Sequence, residues 1–270
     1  MVSPRMLQSH GPGSSLREHL AEVSLIATCP EEQVICACHD IGKATEQWQA
    51  YSAGGFTGES PHSHAAAGGL LAAAILASRG GTDSPFWPLV ALHTAGAHHS
   101  HLGMLNLAQA RPAIETVHQS AQACAFFLDA GAGVASLLPA EYSREKLVGA
   151  WDALGLLFGG RRAAPWQQLA KHIASMDDGD RLDCFLTVRD LLGRLCWQDW
   201  QSARHQSEKT DDLRAWETVF LPSEAFTERS RKSFPPPTTE LNRLRTRLRE
   251  ELVARVRQES GPFYFVDAPT

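Results

Sequence analysis

The apolar run Val34-Ile35-Cys36-Ala37-Cys38 ends in His39-Asp40-Ile41-Gly42-Lys43. A histidine and an aspartate at the end of a buried helix need partners, because neither is tolerated unsatisfied in an apolar interior. Any fold for this chain must therefore bring satisfying groups to that corner. A divalent cation satisfies both side chains at once, since imidazole nitrogen suits transition metals and a carboxylate can bridge two ions. Gly42 permits a tight exit from the helix. Lys43 places a positive charge where a substrate phosphate would sit.

The rest of the chain supplies candidate partners. Its 12 histidines are the unusual count, and most lie between His39 and His118, which points to a metal site. The 270 residues, 43% apolar and 20% charged, are enough to bury a large core in an ordinary globular protein. A net charge of −5 offers no global basicity toward nucleic acid, although a local patch stays possible. The N-terminus carries no signal-peptide pattern. The longest apolar run, Leu70 to Ala77, is too short to span a bilayer. Cys29, Cys36, Cys38, Cys124, Cys184 and Cys196 lack C-x-x-C spacing and read as buried reduced thiols, so the expected compartment is the cytoplasm, with no membrane partner.

A first helix is expected over 16–27, capped by Ser14 or Ser15 with Glu18 as in a capping box. His19 falls at the edge of its apolar face, either as a hydrogen-bonded core residue or as a ligand. The second helix ends at His39-Asp40, and Trp48 and Tyr51 follow as packing residues. After a Gly/Ser/Pro-rich loop from Ser52 to Pro61, a third helix begins at His62-Ser63-His64 and continues through Ala/Gly-rich, almost wholly apolar sequence to Leu76. That is the character of a central helix in an all-α domain, with His64 at its N-terminal end and His62 as competitor. A further apolar helix, Phe86 to Ala95, with Pro85 or Pro88 in its first turn, runs out into Gly96-Ala97-His98-His99-Ser100-His101. Adjacent histidines inside a helix point about 100° apart, but at a frayed end they can converge on one ion. A polar loop is the plain alternative, and His93 and His101 are spare.

From Pro112 to Arg181 several helices are expected, and the acidic stretch Asp177-Asp178-Gly179-Asp180 reads as a solvated turn that lacks the later ligands of a calcium loop. A helix from Cys184 to about Ala203 carries the stripe Val188, Leu192, Leu195, Cys196, which Asp199 continues. An acid on a core-facing line needs a cation: Arg189 or Arg194, or a metal. Phe234 to Thr239 marks a linker, and 241–256 reads as a basic helix. The closing run, 261–270, is β-prone.

His19, His39-Asp40-Ile41-Gly42-Lys43, His64 with its Ala/Gly helix, His98-His99 and Asp199-Trp200, in this order and spacing, closely resemble the HD nuclease domain of the CRISPR-associated nuclease–helicase of type I interference systems. The resemblance covers nearly the whole chain. It implies an all-α HD-domain helical bundle over 1–232 around a dinuclear metal site, a linker and basic connector helix over 233–262, and at 263–270 the start of a RecA-like helicase domain. Phe265-Val266-Asp267-Ala268-Pro269-Thr270 is similar to the strand entering that domain's phosphate-binding loop, but the G-x-x-x-x-G-K-[ST] continuation is absent, so no ATP site is expected.

The resemblance further implies two divalent ions. His19, His39, Asp40 and Asp199 would hold one, and Asp40 would bridge to a second held by His64, His98 and His99. A nitrogen-rich set favours Mn, Fe, Co or Ni over Mg. The ions would polarise a scissile phosphate and make hydroxide available, with Asp40 and Lys43 as the catalytic side chains, Lys43 stabilising the phosphate's charge. The implied reaction is hydrolysis of single-stranded DNA fed by the helicase domain and targeted by a guide-RNA surveillance complex. Two other readings stand beside it: an HD phosphohydrolase acting on nucleotides or cyclic dinucleotides, and a non-catalytic metal-binding helical scaffold.

Overall fold

In the computed structural model the described residues are 7–11, 13–54, 64–78, 86–99, 107–158, 164–208, Arg243 and Arg247. Among them the chain is all helical, with no strand. By internal contacts it divides into two units, Met1–Trp216 and Glu217–Thr270. The loop from Ser52 runs outside the described residues after Gly54, as do His62, Pro85, His101, the linker and the closing run; of the basic helix, only Arg243 and Arg247 are described, each helical and exposed.

The first unit contains α1 (Leu16–Ser24), α2 (Pro30–Cys38), a 3₁₀ turn (Ile41–Ala44), α3 (Glu46–Ser52), α4 (His64–Ala77), α5 (Phe86–Thr94), α6 (Leu107–Gln119), α7 (Ala121–Leu128), a second 3₁₀ turn (Val134–Leu137), α8 (Arg144–Gly155), α9 (Ala164–Ser175) and α10 (Asp178–Glu208). Local chemistry sets the starts of these helices. Ser15 caps α1 by accepting from the Glu18 amide, Thr45 caps α3, Ser120 caps α7 and Ser143 caps α8, each filling an orphan donor of the first turn. Pro30 occupies the first position of α2, where its missing N–H costs nothing. Pro112 lies inside α6, on an exposed face. The acidic stretch is also more than a turn. Asp177 Oδ1 accepts from the Asp180 amide at 2.8 Å, so the acids form the N-terminus of α10, where the helix dipole favours negative charge.

The bundle is built around α4. Every residue from Ala65 to Leu76 is buried, and α4 packs on α2, α5, α6, α8 and α9. Small residues make that possible. A Cβ on Gly68 would lie 2.3 Å from the His39 carbonyl oxygen, and one on Gly69 would lie 2.5 Å from the Gly96 nitrogen. The same helix therefore presses against the end of α2 and the turn after α5 at once. Gly42 serves a related purpose rather than a helix exit: a Cβ there would stand 2.6 Å from the His64 Cβ, so the turn after α2 can reach the start of α4.

α10 is longer than the expected 184–203 and packs against α1 and α5. Its register is pinned by Arg194, which donates to Glu32 Oε1 at 2.7 Å, to the Ile26 carbonyl at 2.7 Å and to Asp190. Glu32 also accepts from the Thr28 amide and hydroxyl at 2.7 and 2.9 Å. Burial pushes the Glu32 carboxyl up, but the bonds from Arg194 and Thr28 outweigh it and hold the pKa below the usual range. No helix among the described residues is long and apolar enough to cross a membrane.

Three variants test this packing. Gly68→Ala should destabilise the protein by about 1–3 kcal/mol, because backbone atoms must shift. Gly149→Ala on α8, where a Cβ would meet open space, should be neutral or raise the thermal midpoint. Glu32, with its folded pKa depressed, contributes stability that is present above the ordinary glutamate pKa and is lost as pH falls through the folded value. The stability gap between the parent chain and Glu32→Gln in urea should therefore be widest near neutrality and close in acid.

Candidate metal centre

Five elements converge on one pocket. α1 contributes His19, the end of α2 contributes His39 and Asp40, the first residue of α4 is His64, the turn after α5 carries His98 and His99, and α10 contributes Asp199. Asp40 is at the centre, and its carboxylate is wholly buried. Its Oδ2 faces His19 Nε2 at 3.1 Å, His39 Nε2 at 3.4 Å and Lys43 Nζ at 2.5 Å. Its Oδ1 faces His64 Nε2 at 3.2 Å and His98 Nε2 at 3.3 Å. His99 Nε2 is 2.9 Å from His64 Nε2. Asp199 Oδ1 lies 3.2 Å from His19 Nε2 and 3.9 Å from His39 Nε2. All seven residues picked out in the sequence as ligands are thus brought together.

The donors fall into two groups that share Asp40: Asp40, His64, His98 and His99, and His10, His19, Asp40 and Asp199, with the ligand atoms of each group within 4.8 Å of one another. His39 adjoins the second group through Asp40 and Asp199. Two donors bonded at about 2.1 Å to one ion and about 90–110° apart stand roughly 3.0–3.4 Å from each other, the spacing of most of these pairs. The buried His/Asp groups can therefore hold a metal ion.

The tautomers sharpen the case. His39 Nδ1 donates to the Cys36 carbonyl and His98 Nδ1 to the Ala95 carbonyl, both at 2.7 Å. In the neutral ring the remaining Nε2 of each points into the pocket with its lone pair, toward carboxylate oxygens that are themselves acceptors. His39 Nε2, His98 Nε2, Asp40 Oδ1 and Asp199 Oδ1 are buried and make no hydrogen bond. Acceptors turned toward acceptors in a dry site are costly unless a cation lies between them.

At His39 a proton can take the cation's place. Burial would raise the Asp40 carboxyl, yet Lys43 and His39 hold it well below the usual range. Asp199 is likewise held far down against its burial by the neighbouring His19 and His39. Burial pushes His39 down, but Asp40 and Asp199 outweigh it and hold it up to about 10. Burial lowers His98, and burial with the neighbouring His98 and His64 lowers His99 to about 4.

Three features depart from the sequence reading. Lys43 is buried and tied to Asp40, with His10 Nε2 at 3.1 Å, rather than standing free for a phosphate. Arg194, offered as a salt-bridge partner for Asp199, is committed to Glu32 and Asp190 instead. His10 joins the pocket 3.9 Å from Asp199 Oδ1 and was missed, because it precedes the first helix and belongs to no periodic pattern. Burial, then Lys43 and His19, lower its pKa to about 3, so it is neutral at pH 7. His93 is half-buried and outside both groups.

Comparison of the chain with family models, curated proteins and solved structures finds no match.

Manganese or cobalt at about 100 times its Kd should stabilise the protein by about 2.7 kcal/mol, read as a raised thermal midpoint that chelator reverses. Asp40→Ala should abolish that shift. Because a proton and an ion compete for His39 Nε2, apparent affinity should rise with pH throughout the range below about 10. Calorimetric titration at pH 6, 7 and 8 measures it.

Proposed function

We propose that the chain is a metal-dependent phosphodiesterase that hydrolyses single-stranded DNA. The observation carrying this reading is the shared Asp40 carboxylate, each oxygen turned toward a different set of imidazole Nε2 atoms. His19, His39, Asp40 and Asp199 would hold one divalent ion, and Asp40, His64, His98 and His99 a second. A donor set this rich in imidazole favours Mn, Fe, Co or Ni over Mg. When bound, such a pair supplies Lewis-acid activation of a phosphodiester and of water.

The chain's own residues do the rest. Asp40 fixes the two donor groups relative to each other, and the backbone carbonyls of Cys36 and Ala95 hold His39 and His98 in the ligating tautomer. Lys43, buried against Asp40 and His10, holds the shared carboxylate in place. Next along α10 from Asp199, Trp200 is 53% exposed, with Trp197 at 5.5 Å and the Arg204 guanidinium 6.0 Å from its ring. An exposed aromatic with an arginine suits unpaired bases, which stack without regard to sequence. The resemblance to the interference nuclease–helicase extends the proposal to a cytoplasmic role in antiviral defence, with a helicase domain and a guide-RNA surveillance complex as partners.

Incubation of circular single-stranded DNA with manganese or nickel should give cleavage that His39→Ala and Asp40→Ala abolish. Lys43→Ala should lower kcat on the same DNA by leaving the buried Asp40 carboxylate without its lysine partner. Turnover of nucleotides or cyclic dinucleotides with DNA left intact would move the chain to the small-substrate class. Ion uptake with no hydrolysis of either substrate would leave a scaffold.

A further inference from the structure

A line of side chains runs from the surface to the pocket along the seam between α1 and α10. His205, 31% exposed, donates from Nδ1 to Glu22 Oε1 at 2.9 Å. Glu22 Oε2 accepts from the Ser202 hydroxyl. Ser202 Oγ, wholly buried, lies 2.8 Å from His19 Nδ1. The His19 Nε2 at the far side of that ring faces Asp40 Oδ2 and Asp199 Oδ1. Gln198 ties the seam further by donating to the Glu22 carbonyl at 3.3 Å.

The direction of each bond follows from proton count. A carboxylate only accepts, so the single Ser202 proton is spent on Glu22. Ser202 Oγ then meets His19 Nδ1 with a lone pair, and Nδ1 must carry the ring proton. In the neutral ring, the form that takes an ion, Nε2 is left with its lone pair toward the two carboxylates. His39 and His98 reach the same state through main-chain carbonyls, which no side-chain change can reverse. His19 alone among these three depends on a side-chain network.

We infer that Glu22, acting through Ser202 and held by His205, is a positioning residue that sets the His19 tautomer and with it the affinity of the first ion. This rests on the two-ion reading above. Glu22→Gln would reverse the chain. With His205 donating to the amide oxygen, the amide nitrogen faces Ser202 and donates to it. The hydroxyl then donates to His19 Nδ1, and the ring proton moves to Nε2, where it blocks the ligand atom. Removing the hydroxyl removes the reversal, so the effect of Glu22→Gln depends on Ser202.

The test is calorimetric titration of ion-free protein with Co²⁺, with the visible cobalt spectrum as a second readout. The parent chain should take up two ions. E22Q should weaken one of them 10–100-fold, as loss of an outer partner of a ligating histidine does, and leave the other, held by His64, His98 and His99, unchanged. S202A should weaken the same ion by less, and E22Q/S202A should be no worse than S202A. Unchanged affinities in E22Q, equal weakening of both ions, or an E22Q penalty of the same size in the S202A background would each overturn the inference. If E22Q does not fold, S202A decides: selective weakening supports the inference and unchanged affinities overturn it. A parent chain that binds no cobalt would sink the two-ion reading and the inference with it, whereas two ions bound identically in parent and variants would sink the inference alone.

Discussion

The Asp40 carboxylate is the constraint to which the other helices answer. It is wholly buried, and its two oxygens face different partners: His19, His39 and Lys43 on one side, His64 and His98 on the other. An isolated carboxylate in such a place would be expelled or protonated. Its ionised form persists because positive charge and ring nitrogens surround it, and those arrive from α1, the end of α2, the start of α4 and the turn after α5. Packing at the centre of the bundle follows from that demand. Gly68, Gly69 and Gly42 are small because α4 must touch the ends of two other elements at backbone distance, and any Cβ would push a ligand away.

Holding a histidine near a carboxylate is not enough; the ring must present the right nitrogen. The i−3 carbonyls of Cys36 and Ala95 do this for His39 and His98, so the end of α2 and the turn after α5 supply orientation as well as position. α10 completes the arrangement from the opposite side. It carries Asp199 into the pocket, sets Ser202 behind His19, and its Cys196 thiol donates to the His98 carbonyl. The Glu32–Arg194 pair, five residues before Asp199, keeps that long helix from sliding.

Much of the site was legible because its chemistry is local. His39-Asp40 stands out at the end of an apolar run, Asp199 continues an apolar stripe, and His98-His99 sits at a helix end, so residue type and period were enough to pick them. What was missed depends on contacts across the chain. His10 lies in irregular sequence and enters the pocket only because the segment before α1 folds back beside Lys43. Lys43 looked free for a phosphate, since nothing in the sequence reveals that its ammonium is buried against Asp40. Gly42 was read by its conformational freedom, whereas its value is the absence of a side chain against His64. The acids at 177–180 read as a solvated turn in the sequence, because residue type alone cannot show that Asp177 caps the helix they begin.

The sequence by itself determined that the described chain is helical and which side chains need a cation, because period and the cost of burying charge are properties of short stretches. Only the tertiary structure decided that these side chains share one carboxylate and that one histidine is set by a side-chain relay while two are set by the backbone. Residues 180 positions apart, such as Glu22 and Ser202, meet only when helices pack, and no local pattern encodes which lone pair faces which proton.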